Sequence, residues 1–152
     1  ILLDVLDQEI WPTIYVKWEM GLLQELGFGL DLSSCAATGV TANLTYVSPK
    51  SARAVSADAA EPYKHALLRL PRFLIDATHS ASWPDIADGL RLTGFFLDRQ
   101  VFADAPKYRA PPARGRLIDL IRHEASAKGG NLAPSAEMVS PSASKSSPTR
   151  VR

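Results

Sequence analysis

The sequence reads as a mainly α protein: a helical bundle with one small β-hairpin embedded in it and a disordered C-terminal tail. Three observations predict this class. Apolar residues recur at the helical period over residues 12–26 and again over 84–102. Between those stretches, residues 27–56 are punctuated by Gly, Ser and Thr and carry a short β-prone run, 44–48, that can pair with 52–56. After residue 125 the composition shifts to Ser, Pro, Ala, Gly and Lys with few large apolar side chains, too little to offset the entropy of ordering. The expected organisation is a helical domain over 1–125 with its hairpin insert at about 31–57, followed by a low-complexity tail over 126–152.

Residues 1–10, ILLDVLDQEI, read as the end of a helix, and Pro12 suits the first turn of the next. In that second helix Ile14, Tyr15, Trp18, Leu22 and Leu26 form one stripe, together with Trp11, and Val16, Met20 and Leu23 add a second apolar side; the helix is expected to be buried on most of its circumference, with Lys17, Gln24 and Glu25 as a narrow polar strip. Gly27 and Gly29 end it, because glycine readily takes a left-handed cap. The insert follows, with Pro49, Lys50 and Ser51 as its turn, so that Lys50 and Arg53 project from the tip. Residues 58–70 are expected to return to helix, with Pro62 in the first turn and Tyr63, Leu67 and Leu70 at helical spacing. A long helix opens at Ser82 or Trp83 and runs to about Phe102. One side of it carries Ile86, Leu90, Thr93, Leu97 and Val101; the other carries Arg91, Phe95, Arg99 and Phe102. Rings interleaved with guanidinium groups suit single-stranded nucleic acid, and they equally suit a central bundle helix with arginine stems reaching outward. A Pro-rich connector then carries Lys107, Arg109, Arg114 and Arg116, and Leu117, Ile118, Leu120 and Ile121 drive a last helix.

The chain has 152 residues, enough for one domain with a core; 46% are apolar and 22% charged. No apolar run reaches the ~18–20 residues that span a bilayer, and the acidic start lacks the basic region of a secretory signal. A start at Ile1, already in a helical pattern, suggests part of a longer protein. Charge is unevenly distributed: residues 1–49 carry a net −5, with Lys17 as the sole base, and residues 50–152 a net +6. A basic second half points to an anionic partner.

Catalytic patterns are missing. His65, His79 and His123 follow no metal-ligand spacing, and no phosphate-binding glycine loop or nucleophile elbow occurs. One cysteine excludes an internal disulfide and fits a reducing compartment. Cys35 and Thr38, then Ser56 and Ala59, repeat the spacing of a four-cysteine zinc ribbon, yet one thiol of the four is present. The insert is therefore expected to hold no metal, and the chain to need no cofactor and to be no enzyme. A cysteine-dependent enzyme using Cys35 is the least favoured alternative.

The run YVKWEMGLLQELGFGLDLSSCAATGVTANLTYVSPKSARAVS, residues 15–56, resembles the bacterial recombination mediator family RecO, and LTGFFLDRQVF, residues 92–102, resembles the same family's long C-terminal helix. The resemblance covers most of residues 1–122. It implies that this chain is the helical C-terminal part, with an oligonucleotide-binding barrel lying outside it, and that the insert is a ribbon that keeps its cysteines in some branches. The sequence departs from the metal-bearing pattern at Thr38, Ser56 and Ala59, and has Ala52 where related sequences more often place Gly. The implied role is non-catalytic: loading recombinase on single-stranded DNA, annealing strands, and binding RecR and the acidic tail of single-stranded DNA-binding protein. The implied setting is the bacterial cytoplasm at the nucleoid. The tail needs a cation beside an apolar groove, for which Arg69, Arg72, Arg91, Phe95 and Arg99 are the candidates. The alternative is a purely protein-binding helical module, with DNA affinity confined to the barrel.

Overall fold

A computed structural model describes residues 10–101, 103 and 112–129 of the chain. Its element order is α1 (Trp11–Glu25), β1 (Leu44–Val47), β2 (Ala54–Ser56), α2 (Ala57–Ala60), β3 (Leu68–Arg69), α3 (Trp83–Phe96) and α4 (Pro112–Gly129). The mainly helical class with a small antiparallel sheet is the one the sequence predicts. Lys107, Arg109, Phe102 and residues 130–152 lie outside the described residues.

Pro12 sits in the first turn of α1, where its missing N–H costs nothing. At the other end Gly27 takes φ +85°, its N–H bonds Gln24 O at 3.1 Å, and the Phe28 N–H reaches back to Leu23 O at 2.8 Å. This is the left-handed glycine cap expected there. Burial is confined to one face, on the side of Val16 and Leu23, where most of the circumference was expected to be covered. Its buried face is Pro12, Val16, Glu19 and Leu23, while Ile14, Trp18 and Leu26 are exposed and Trp11, Tyr15 and Leu22 are half-buried. The reason is an acid: Glu19 faces inward to meet a cation on α4, and that contact turns the apolar stripe outward.

The two strands of the insert and a third that follows it form a sheet in the order β2-β1-β3, with both pairings antiparallel. β1 pairs β2 with Val47 opposite Ala54 and a bulge between Leu44 and Tyr46. Its other edge pairs β3, Val47 opposite Leu68, and the Leu70 N–H continues the ladder to Thr45 O at 2.9 Å. The helix expected over 58–70 is therefore corrected. α2 stops at Ala60, one 3-10 turn spans Lys64–Ala66, and the chain then extends into β3. Two strands alone are marginal in water, so the free edge of β1 takes its hydrogen bonds from Leu68–Arg69; Pro71 holds the preceding residue extended as well.

Ser82 caps α3 by a reciprocal box. Its Oγ accepts the Asp85 N–H at 3.3 Å, while its own N–H donates to Asp85 Oδ2 at 2.9 Å. Beyond Phe96 the helix widens into a π turn, Leu97–Val101. Both sides of α3 are buried: Ile86, Leu90 and Thr93 on one, Leu92 and Phe96 on the other. This is the central-helix alternative. One core joins Val16, Phe73, Ile86, Leu90 and Ile121 between the helices; a larger one joins Leu23, Cys35, Val47, Ala54, Leu92 and Phe96, so the sheet is fixed to the bundle by packing. α4 starts earlier than expected and runs to Gly129, past residue 125.

Candidate nucleic-acid and partner-binding surface

α4 is set on α1 and α3 by one buried ion pair. Arg114 donates Nε to Glu19 Oε1 at 2.8 Å and Nη2 to Glu19 Oε2 at 3.0 Å, and Nη2 also reaches Leu90 O at 2.9 Å. The Thr93 hydroxyl donates to the same carboxylate. The Glu19 side chain is 1% exposed and that of Arg114 13%. Burial pulls the Arg114 pKa down, and the hydrogen bond and charge of Glu19 more than restore it, leaving it above the ordinary arginine value. Gly94 makes room: a Cβ there would stand 2.9 Å from both terminal nitrogens of Arg114. Arg114 thus stands apart from the exposed cations with which the sequence grouped it. Glu19 was legible only as an acid at the i, i+4 spacing of Pro12, Val16 and Leu23; its partner lies 95 residues away.

With α4 in place, a groove of about 180 Å³ opens between α3 and α4. Leu90, Ile118 and Ile121 give it an apolar floor, Arg91 and Arg122 bring two exposed guanidinium groups, and Asp98 stands at one end. Arg122 was not singled out from the sequence. It keeps an open i, i+3 pair with Asp119 at 3.8 Å.

Phe95 and Arg99, expected to continue the surface of Arg91, go elsewhere. Phe95 packs on the sheet-side core, and the Arg99 guanidinium lies 5.9 Å from its ring centroid while donating to Pro49 O at 2.9 Å. That bond ties the π turn to the hairpin turn and places Arg99 beside the exposed Lys50. Arg53 faces Asp31 at 3.5 Å, and Arg72 faces Asp76 at 3.9 Å. Arg69 faces Asp88 at 3.7 Å with its guanidinium 5.9 Å from the Tyr46 ring. Arg116 is exposed on α4. Among the described candidates, Arg91, Lys50, Arg99 and Arg116 have no ion pair with a carboxylate, and Arg122, beside Arg91 in the groove, has its open pair with Asp119. The other three, Arg53, Arg69 and Arg72, are each matched to a carboxylate.

Cys35 and Ser56, two of the four positions with ribbon-like spacing, meet through a hydrogen bond. Cys35 is 1% exposed and its Sγ accepts the Ser56 N–H at 3.3 Å. The Ser56 side chain, then the Thr38 side chain and the Ser56 backbone, hold the thiol pKa down at about 6, against burial that would raise it. Hydroxyl donors stand around the sulfur where a tetrahedral metal would need thiolates. This donor set does not fit zinc, and among the described residues no three metal-ligating side chains cluster. Nor, among the described residues, is any helix long and apolar enough to cross a membrane.

Comparison with known proteins follows the same lines. The family model described as "Recombination protein O C terminal" matches residues 1–109. A DNA repair protein RecO of Rhodospirillum centenum is 49% identical over 135 residues, covering 88% of this chain and 53% of that protein. Those of Phenylobacterium zucineum and Caulobacter vibrioides are 52% and 50% identical over 113 residues, each covering 74% of this chain and 46% of theirs. The chain spans about half the length of the curated relatives it matches. No solved structure matches it. On the family model and these identities, the chain belongs to the recombination protein O (RecO) C-terminal family.

Proposed function

We propose that the chain serves DNA repair and recombination as a non-catalytic mediator module, binding single-stranded DNA and repair proteins. The observation that carries this reading is the α3–α4 groove. Two guanidinium groups, Arg91 and Arg122, flank the apolar floor of Leu90, Ile118 and Ile121. An acidic peptide ending in apolar residues needs both features: the charge meets its carboxylates and the floor takes its last side chains. The acidic tail of single-stranded DNA-binding protein has this chemistry. Lys50, Arg99 and Arg116 would meet phosphates, working with RecR and with recombinase loading and strand annealing in the bacterial cytoplasm at the nucleoid.

The test is a pair of titrations of the chain, one with single-stranded DNA and one with an acidic, apolar-ended peptide. Peptide binding should fall tenfold or more in Arg91→Ala and Arg122→Ala and be unaffected by Lys50→Ala. DNA affinity should fall with salt at a log–log slope of about −0.7 per phosphate contacted. A peptide affinity indifferent to both arginines would refute the assignment of the groove. A purely protein-binding module is the second reading, favoured by the pairing of Arg53, Arg69 and Arg72 with Asp31, Asp88 and Asp76. Peptide binding with no DNA binding would select it.

A further inference from the structure

Helix α3 carries cations of both charged surfaces, and a carboxylate lies between them. Arg91, Gly94 and Asp98 follow one another at spacings of three and four, so they share the face of α3 that walls the α3–α4 groove. Arg99 is the next residue on, roughly a quarter turn around the helix. It is directed to the hairpin, where it donates to Pro49 O at 2.9 Å beside Lys50. Asp98 therefore stands at the end of the groove that adjoins the hairpin turn. It is exposed and, among the described residues, has no ion pair. Between Asp98 and Arg91 no cation offsets it. Gly94 has no side chain, and the Arg114 guanidinium, whose terminal nitrogens would stand 2.9 Å from a Cβ there, is already matched by Glu19 through two hydrogen bonds.

We propose that Asp98 is a specificity residue: it separates the groove from the hairpin-side cations, so that the chain holds an acidic peptide and a DNA strand at the same time. This rests on the proposed function and adds the relation between its two ligands. A DNA strand carries a negative charge about every 3.4 Å of its rise in a duplex. A strand running from Lys50 and Arg99 to Arg91 and Arg122 must set at least one phosphate against Asp98. Like-charge contacts of this kind are how a surface rejects a wrong partner. The peptide avoids the contact. Its carboxylates meet Arg91 and Arg122, and Arg91 lies two turns from Asp98, about 10 Å along the axis, beyond the screening length of about 8 Å at physiological salt. Its apolar end needs only the floor of Leu90, Ile118 and Ile121. Without a carboxylate at position 98, Lys50, Arg99, Arg91 and Arg122 would form one basic track, and DNA would run into the groove and displace the peptide.

A fluorescent acidic, apolar-ended peptide and unlabelled oligothymidylate, titrated against the chain apart and together, test it. In the wild type, saturating DNA should change the peptide Kd by less than about threefold, and the peptide should change the DNA Kd by the same factor. Asp98→Lys should make the two compete, with peptide affinity falling about tenfold or more under saturating DNA. Its DNA binding should also gain a steeper salt dependence, by about 0.7 in log–log slope for each phosphate added. Asp98→Asn should lie between. Glu25→Lys, the same charge change at an exposed acid of α1 outside the groove, should behave as the wild type. Competition in the wild type, or independent binding retained in Asp98→Lys, would overturn the proposal while leaving both ligands in place. Failure of the wild type to bind either ligand would overturn the proposed function, and this division with it.

Discussion

The Glu19 carboxylate and the Arg114 guanidinium meet through two hydrogen bonds, at 2.8 and 3.0 Å, in the interior between α1, α3 and α4. A buried pair of this kind adds little compared with apolar side chains of the same shape, since both charges lose their hydration. Breaking it is another matter. Glu19→Ala leaves a buried cation, and Arg114→Ala a buried carboxylate, each expected to cost about 3–5 kcal/mol in urea denaturation. Glu19→Leu with Arg114→Met should recover most of that loss. If the single variants cost less than the double, the pair does not hold α4.

Glycine substitutions in α3 and α4 report on the same packing. Ala for Gly in a helix interior normally gains about 0.5–1 kcal/mol. Gly115, with nothing within 4 Å of its Cβ position, should follow that rule. Gly94→Ala should reverse it by about 1–3 kcal/mol: its Cβ can be accommodated only if Arg114 leaves Glu19. Gly89→Ala should behave similarly, meeting Val16 Cγ1 at 2.8 Å and Phe73 Cζ at 3.3 Å. Thermal melts of the three variants give the ordering directly, and a stabilising Gly94→Ala would mean that Arg114 is free to move.

What the sequence made legible is what local chemistry controls. The Ser82–Asp85 box, Pro12, the Gly27 cap and the period of α3 each act within a turn or two of chain, so their effects can be read from neighbouring residues. The period of α1 and its two apolar sides were legible in the same way, but that only one of them is buried was not. Choosing between the Trp18 face and the Val16 face depends on Arg114, brought back across most of the chain to Glu19. β3 failed for the same reason: residues 58–70 have helical spacing, and the open edge of β1 outweighs it. At the candidate site the arginines were visible as residue types. Their division into the free Arg91 and the matched Arg53, Arg69 and Arg72 depends on Asp31, Asp88 and Asp76, placed by tertiary structure.

Ala52, at the exit of the hairpin turn, takes φ +56°. An L-residue there is strained by the approach of its Cβ to the carbonyl oxygen, at a cost of about 1–2 kcal/mol. Its N–H donates to Ser48 O at 2.9 Å and its C=O accepts from Asp31, so the turn is held in place regardless. Ala52→Gly should relieve the strain and raise stability by about 1 kcal/mol, net of the extra freedom glycine gives the unfolded chain. The expected readout is a melting temperature higher by a few degrees. A lower one would show that position 52 does not need the left-handed conformation.

Cys35 links pH to the stability of the insert. Donors from Ser56 and Thr38 hold the folded thiol pKa at about 6, below its ordinary value of 9.0, so the folded state releases this proton more readily than the unfolded chain. The resulting stabilisation is fully present above the unfolded pKa and is lost as pH falls through about 6. Between those limits the wild-type stability should rise with pH, and Cys35→Ala, which has nothing to ionise, should remove that component of the slope. Denaturant midpoints at intervals across this range, for both proteins, measure the difference. The thiolate absorbance of the folded chain should titrate near the lower limit and that of the urea-unfolded chain near the upper. Slopes that are parallel in the two proteins would mean that Cys35 stays protonated in its buried site, with the Ser56 N–H donating to a neutral sulfur.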